Sequence, residues 1–278
     1  MNSAINPRYN LHAFGELVGL LTRHRQLTFE LAKREINERY SGQFFGTLWT
    51  IGHPLILIFV YIFVFAFVFK TRVGGTSDLP LDYTSYMLAG LIPWLAFSDV
   101  MGKASTVIVA NANIVKQVIF PLEVLPVKTV VATLVTESIF LVMLAIYTLI
   151  THHALLWTYF LLPVVFILQT LAMIGVSYLL AAIGAYFRDE KEIVQDFSTV
   201  AFFILPILYL PEAVPAALRV LLYINPFSYM IWCYQDVLYF GRIAHPWAWA
   251  VFSLLSLLVF VLGYRVFRKL KTMFGNVL

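Results

Sequence analysis

Long stretches of this chain carry no Asp, Glu, Lys or Arg. Residues 51–69 form the first, with Pro54 near its start, where a proline is tolerated in a helix. The second covers 83–98 and continues past Asp99 to Gly102. The third begins near Thr129, contains Glu137 and reaches Ile150. From Ser138 to Phe187 there are 50 consecutive uncharged residues, which is two helices, and Thr151-His152-His153 is the polar cluster that divides them. The fourth stretch is then 157–187, the fifth is 197–210, short and stopped by Pro206 and Pro211, and the last is 247–264. Crossing about 30 Å of hydrocarbon takes about 20 helical residues, so the pattern predicts an all-α polytopic membrane protein with six spans. A membrane β-barrel would instead alternate apolar and polar positions over about 10 residues per strand.

Two regions depart from simple spans. Residues 212–241 are apolar but broken at Asn225-Pro226, and the halves, 213–224 and 227–240, reach only about 18 and 21 Å at ~1.5 Å per residue. Read as one kinked span, this segment would put the basic tail outside. It is therefore predicted to be a re-entrant helical hairpin on the external side, with two helices lying on the outer surface as the other reading. Ahead of the first span, Leu11, Phe14, Val18 and Leu21 recur at helical steps. A second amphipathic helix is predicted over 26–40, with Phe29, Ala32, Ile36 and Tyr40 on its apolar face and Glu30–Arg34 and Glu35–Arg39 as i,i+4 pairs. Such a helix lies in the membrane interface or packs on a partner. The chain thus divides into a cytoplasmic amphipathic region, 1–50, and a membrane region, 51–278. The loop 110–126 has room for one short helix near 113–118, stopped by Pro121. By periodicity alone it reads as a connector.

Composition agrees. Of 278 residues 61% are hydrophobic and 12% charged, and mean hydropathy is +0.84. An average soluble domain is about 25% charged. So few charges exclude a soluble domain of this size, and the hydrophobicity excludes disorder. The net charge of +4 suits an anionic membrane surface. No basic and aromatic interleaved motif points to nucleic acid. Fifteen of the 19 basic residues fall at the two ends and in alternate loops, and Lys70, Arg72, Arg219 and Arg242 fall opposite. The positive-inside rule then places both termini in the cytoplasm. No cleavable signal peptide is expected. The lone Cys233 excludes an intrachain disulfide and reads as a small packing residue.

Candidate chemistry is sparse. There is no GxxxxGK[ST] loop to hold ATP phosphates, no metal-ligand spacing among the six His, and no nucleophile elbow. No catalytic residue, metal or bound cofactor is expected. Two carboxylates lie within spans, Asp99 and Glu137, with no Lys or Arg expected at their depth. Glu137 reads either as part of an ion pathway or as a polar contact between helices or subunits. The 45 aromatic residues say more. Some form interfacial belts, but Tyr61, Phe65, Tyr86, Phe202, Phe203 and Tyr209 fall mid-span. Aromatic faces and phenol hydroxyls suit a sugar chain better than an ion, so these six are the candidate channel lining. Lipid-facing rings are the bland alternative.

Several short segments then coincide in order and spacing. They are Arg34-Glu35-Ile36-Asn37-Glu38-Arg39-Tyr40 with Gly46, Trp49 and Pro54, followed by Pro121-Leu122-Glu123-Val124-Leu125-Pro126. Phe187-Arg188-Asp189 with Glu192-Ile193 comes next, and Asn225-Pro226-Phe227 last. With six spans, this layout resembles the membrane subunit of ABC-type polysaccharide exporters, the permeases for O-antigen, capsule and teichoic acid. The resemblance implies a homodimeric pore in the bacterial inner membrane, bound to two copies of a separate ATPase that holds ATP and Mg²⁺. It implies an interface helix around Arg34, Glu35, Arg39 and Tyr40, and a coupling helix at Asn113, Ile114, Val115, Lys116 and Gln117, replacing the connector reading. It makes the hairpin with Asn225, Pro226, Phe227 and Tyr229 an external gate, and the substrate a lipid-linked polysaccharide. The competing readings are a carrier or channel driven by an ion gradient without an ATPase, and a membrane glycolipid enzyme, for which no polar catalytic cluster is present.

Overall fold

The computed structural model describes residues 15, 19, 22–68, 80–116 and 120–277, and every element among them is helical. The predicted amphipathic positions Leu11, Phe14, Val18 and Leu21, and Gln117, lie outside these residues. Helix α1 is Arg25–Arg39. Gly42 and Gly46, at φ 79° and 50°, turn the chain into a 3₁₀ turn at Gly46–Leu48 and then α2, Trp49–Ile62, which continues as a π-helical turn over Phe63–Val68. Then come α3, Tyr83–Ala104, the single turns α4, Val107–Ala110, and α5, Ala112–Val115, and the long α6, Val124–His152. His153 ends α6 in the left-handed region at φ 55°, at the polar cluster where the sequence divides its third and fourth spans. A 3₁₀ turn, Trp157–Leu161, leads into α7, Leu162–Gly184. Helix α8 is Glu190–Ile204, α9 is Ala216–Ile224, and α10 is Pro226–Gln235, extended by a π-helical turn, Asp236–Phe240. Helix α11, Pro246–Leu270, and α12, Phe274–Val277, close the chain.

Among the described residues, four helical stretches are long and apolar enough to cross a membrane: Gly46–Phe67, Val124–His152, Trp157–Gly184 and Pro246–Met273. The second and fifth predicted spans correspond to α3 and α8, which fall outside that set. Helix α3 has 22 residues, about 33 Å, but is interrupted by Asp99 and Lys103 and enclosed by α6, α7, α8 and α10. Helix α8 starts seven residues before the predicted 197 and stops at Ile204, because Pro206 has no N–H to continue the ladder. The most extensive pairing joins α7 to α11. There the backbones meet through glycine: a Cβ on Gly175 would come within 2.5 Å of the Val259 carbonyl, and one on Gly263 would overlap the Gly175 carbonyl. Small residues allow this approach where lipid offers no hydrophobic drive for helix association. Helix α2 is the least covered, with 11% of its apolar stretch buried against 33–44% for the other three.

The 212–241 hairpin is asymmetric. Helix α9 is mostly exposed, whereas α10 is buried from Ser228 to Tyr239 apart from the half-buried Tyr229. The Asn225 side chain caps α10 by accepting the Phe227 N–H at 3.0 Å. Phe227 packs edge-on against Trp94 and Phe97 in the middle of α3, at 5.3 and 5.0 Å between ring centroids. At the far end of α10, Tyr239 packs on Tyr86 and donates to the Leu81 carbonyl, next to the start of α3. Buried Asp236 accepts the His245 N–H and the Trp249 indole N–H, both at 3.0 Å, and pins α10 to α11.

On α1 the predicted apolar stripe is rotated. Phe29 is exposed, while Thr28, Ala32 and Tyr40 are buried. The predicted Glu30–Arg34 and Glu35–Arg39 pairs are replaced. Arg34 pairs with Glu38 at 2.6 Å, and Glu35 and Arg39 turn inward to the bundle. Tertiary partners in a half-buried setting outweigh a surface i,i+4 pair of a few tenths of a kcal/mol.

Candidate transport groove

Helix α3 presents Leu91, Trp94, Leu95, Ser98, Asp99, Gly102 and Lys103 at steps of three and four, which is one helical face. Helix α8 presents Lys191, Val194, Gln195, Ser198, Thr199 and Phe202 in the same way. The two faces, with Tyr61 of α2 and Phe203, enclose a groove of about 560 Å³. Its lining is graded. Asp99, Lys103, Lys191 and Gln195 occupy the end toward the cytoplasm in the predicted topology, and Tyr61, Trp94, Phe202 and Phe203 continue inward. Such a surface offers hydrogen bonds and charge at one end and ring faces for a carbohydrate chain along the rest.

Of the six candidate channel residues, Tyr61, Phe202 and Phe203 meet in this groove. Phe65 stacks on Tyr61 with ring centroids 6.4 Å apart. Tyr86 lies elsewhere: it is 1% exposed, and its hydroxyl donates to the Pro206 and Tyr209 carbonyls, both at 3.1 Å. Tyr209 hydrogen-bonds back to the Phe203 and Ile204 carbonyls and closes the end of α8. The groove's polar members Ser98, Lys103, Lys191, Gln195 and Thr199 were not among the candidates. The 3.6 period of their two helices carries the signal that finds them.

Contrary to the expectation from sequence, Asp99 has cationic partners. Lys103, one turn along α3, bonds it, Thr133 of α6 donates to it at 2.8 Å, and Arg39 of α1 lies 4.0 Å away. Lys103 comes from beyond the span and reaches back on its long stem. Glu35 adds a second tie from α1 to α6, through Lys128 at 3.5 Å and Thr129 at 3.4 Å. Arg34 stays exposed, and Tyr40 is buried against His53, with ring centroids 5.9 Å apart. Of the predicted 113–118 helix, the described residues show the turn α5, Ala112–Val115, with α4 just before it. Asn113 and Lys116 are exposed, Ile114 is half-buried and Val115 is buried. Glu137 joins helices: the Tyr234 hydroxyl of α10 lies 3.5 Å from it and bonds Gln169 of α7, whose amide donates to the Pro93 carbonyl of α3 at 3.3 Å.

Glu190 opens α8 outside the fifth predicted span. It is 7% exposed, neither carboxylate oxygen has a hydrogen-bond partner among the described residues, and a Cβ on neighbouring Gly184 would strike it. Burial raises its carboxyl from the usual 4.5 to about 7. A raised pKa means that the fold favours the protonated form. This contribution to stability is full below 4.5 and is lost as pH rises through about 7. Glu190→Gln should therefore flatten the fall in melting temperature between these pH values and leave the variant more heat-resistant than the parent at pH 8.

A multi-pass helical bundle with a polar-to-aromatic groove has the form of a membrane transport protein. Residues 26–239 match the ABC-2 type transporter family, and the chain belongs to it. The O-antigen export system permease protein RfbA of Myxococcus xanthus is 30% identical over 229 residues, covering 82% of this chain and 85% of that protein. Two Klebsiella pneumoniae proteins of the same name are 25% and 24% identical over 279 residues, covering 99% of this chain and all of each relative.

Proposed function

We propose that the chain is the transmembrane subunit of an ATP-driven exporter that moves a lipid-linked cell-surface polysaccharide, O-antigen foremost among O-antigen, capsule and teichoic acid, across the bacterial inner membrane. The observation that carries this reading is the α3–α8 groove, with charge at its cytoplasmic end and aromatic walls beyond. The names of the full-length relatives support the substrate class. In this reading the chain has six spans, with α3 and α8 supplying the second and fifth, and both termini are cytoplasmic. Region 1–50 forms the interface segment, with α1 latched to the bundle through Glu35 and Arg39, and 51–278 forms the permease.

Two copies assemble so that each groove contributes one wall of the channel. The hairpin 212–241 is the external gate. Its tip at Phe227 packing on the middle of α3 supports a re-entrant path, and its enclosure by protein meets the condition for backbone at that depth. ATP and Mg²⁺ belong to two copies of a partner ATPase, which dock at α4–α5 and the Asn113–Lys116 turn. ATP binds the closed ATPase pair more tightly, and that difference in affinity biases the spans toward the open groove.

Lys116→Glu reverses the exposed charge at the proposed docking turn. It should leave ATPase activity of the assembled complex near wild type and reduce surface polysaccharide about ten-fold or more, as loss of a paired interface charge would. Unchanged export would remove this turn from the coupling interface.

A further inference from the structure

Beside the groove, on an adjoining face of α3, lies a second cavity of about 460 Å³, bounded by α1, α2, α3 and α6; Leu95 and Asp99 line both. Export through the groove makes no use of it. Leu57, Ile92 and Phe140 give it apolar walls, and Leu57, 43% exposed on α2, marks a side open to the bilayer. Glu137 lines the cavity at 1% exposure, and its Oε2 has no hydrogen-bond partner among the described residues. A carboxylate oxygen left without a donor is costly at this depth, and an ammonium placed against it offsets that cost.

Arg39 lines the same cavity. Its side chain makes no hydrogen bond among the described residues, only the ion pair with Asp99 at 4.0 Å, a carboxylate already engaged by Lys103 and Thr133. Its guanidinium therefore has donors to offer an anion. Arg39 lies 4.0 Å from Asp99, Asp99 accepts from Thr133 at 2.8 Å, and Glu137 follows Thr133 by one helical turn, so the cation and the carboxylate line one cavity. A lipid that carries both a phosphate and a primary ammonium answers both groups. A free phosphate leaves Glu137 unanswered, and a neutral lipid leaves both.

We propose that this cavity holds one phosphatidylethanolamine, with its phosphate on Arg39, its ammonium on Glu137 and its acyl chains leaving beside Leu57. The lipid would bridge α1 to α6 beside the transport groove.

Native mass spectrometry of the full exporter complex, titrated separately with phosphatidylethanolamine, phosphatidylcholine, phosphatidylglycerol and soluble phosphoethanolamine, tests this. One phosphatidylethanolamine per chain is expected, bound about ten-fold or more tightly than phosphatidylcholine, which has no N–H to give Glu137, or phosphatidylglycerol, which has no cation. Glu137→Gln should abolish that preference, and Arg39→Gln should weaken all three lipids alike. Equal binding of the three lipids, preferential binding of the soluble headgroup, a preference that survives Glu137→Gln, or lipid affinity unchanged by Arg39→Gln would overturn the proposal. The headgroup series on the unmodified protein decides the matter even if a variant misfolds.

Discussion

Export should stop when Gly102 is replaced by tryptophan, while the chain still folds. Gly102 lies on the groove face of α3 between Asp99 and Lys103, and a Cβ built there meets nothing within 4 Å. The backbone is helical, so any L-residue is accepted, and Gly102→Ala should stabilise the protein by up to about 1 kcal/mol. An indole at this position instead projects into the groove between Asp99 and Lys103. The expected result is wild-type abundance and melting temperature, normal surface polysaccharide for Gly102→Ala, and at least about a hundred-fold loss for Gly102→Trp, as complete steric block requires. A tryptophan variant that exports normally would mean that the substrate takes another route.

A glycine of the same kind in sequence gives the opposite outcome at position 263. Gly263→Leu should prevent accumulation of folded protein. Its Cβ would occupy the Gly175 carbonyl, and the reciprocal Gly175→Ala would press within 2.5 Å of the α11 backbone at Val259. Neither contact can be relieved by a side-chain rotation, so α7 and α11 must separate across the largest helix pair in the bundle. Overpacking against backbone belongs with the largest single-residue losses, above about 4 kcal/mol. Folded yield by size exclusion in detergent, compared with Gly102→Ala, measures it. Monodisperse Gly263→Leu protein with parental melting behaviour would contradict the packing described.

The contrast shows what a sequence alone carries. Charge-free runs locate α2, α6, α7 and α11 because apolar length is a local property. Those runs also place α3, but α8 begins earlier than charge counting allows. Glu190, Lys191 and Glu192 sit in its first turn, where acidic groups favour a helix start although they end an apolar run. The aromatic count selects Tyr61, Phe202 and Phe203, yet it equally selects Tyr86, because ring chemistry is the same in a groove and in a packed core. Only the carbonyls of Pro206 and Tyr209, 120 and 123 residues away, decide its fate. Arg39 likewise finds Asp99 across 60 positions of sequence, where helix-local pairing rules have no reach. Gly102, Gly175 and Gly263 become distinguishable only when the neighbouring helix is in place.

In the proposed function this chain forms a polysaccharide path whose energy comes from a partner. Reconstitution into sealed vesicles measures this directly. The purified chain alone, the chain with its ATPase, and the chain under an imposed proton or sodium gradient are each supplied with lipid-linked glycan on the outer face, and glycan reaching the lumen is quantified. Transfer is predicted only with both proteins and ATP-Mg²⁺. Gradient-driven transfer by the chain alone would contradict the account.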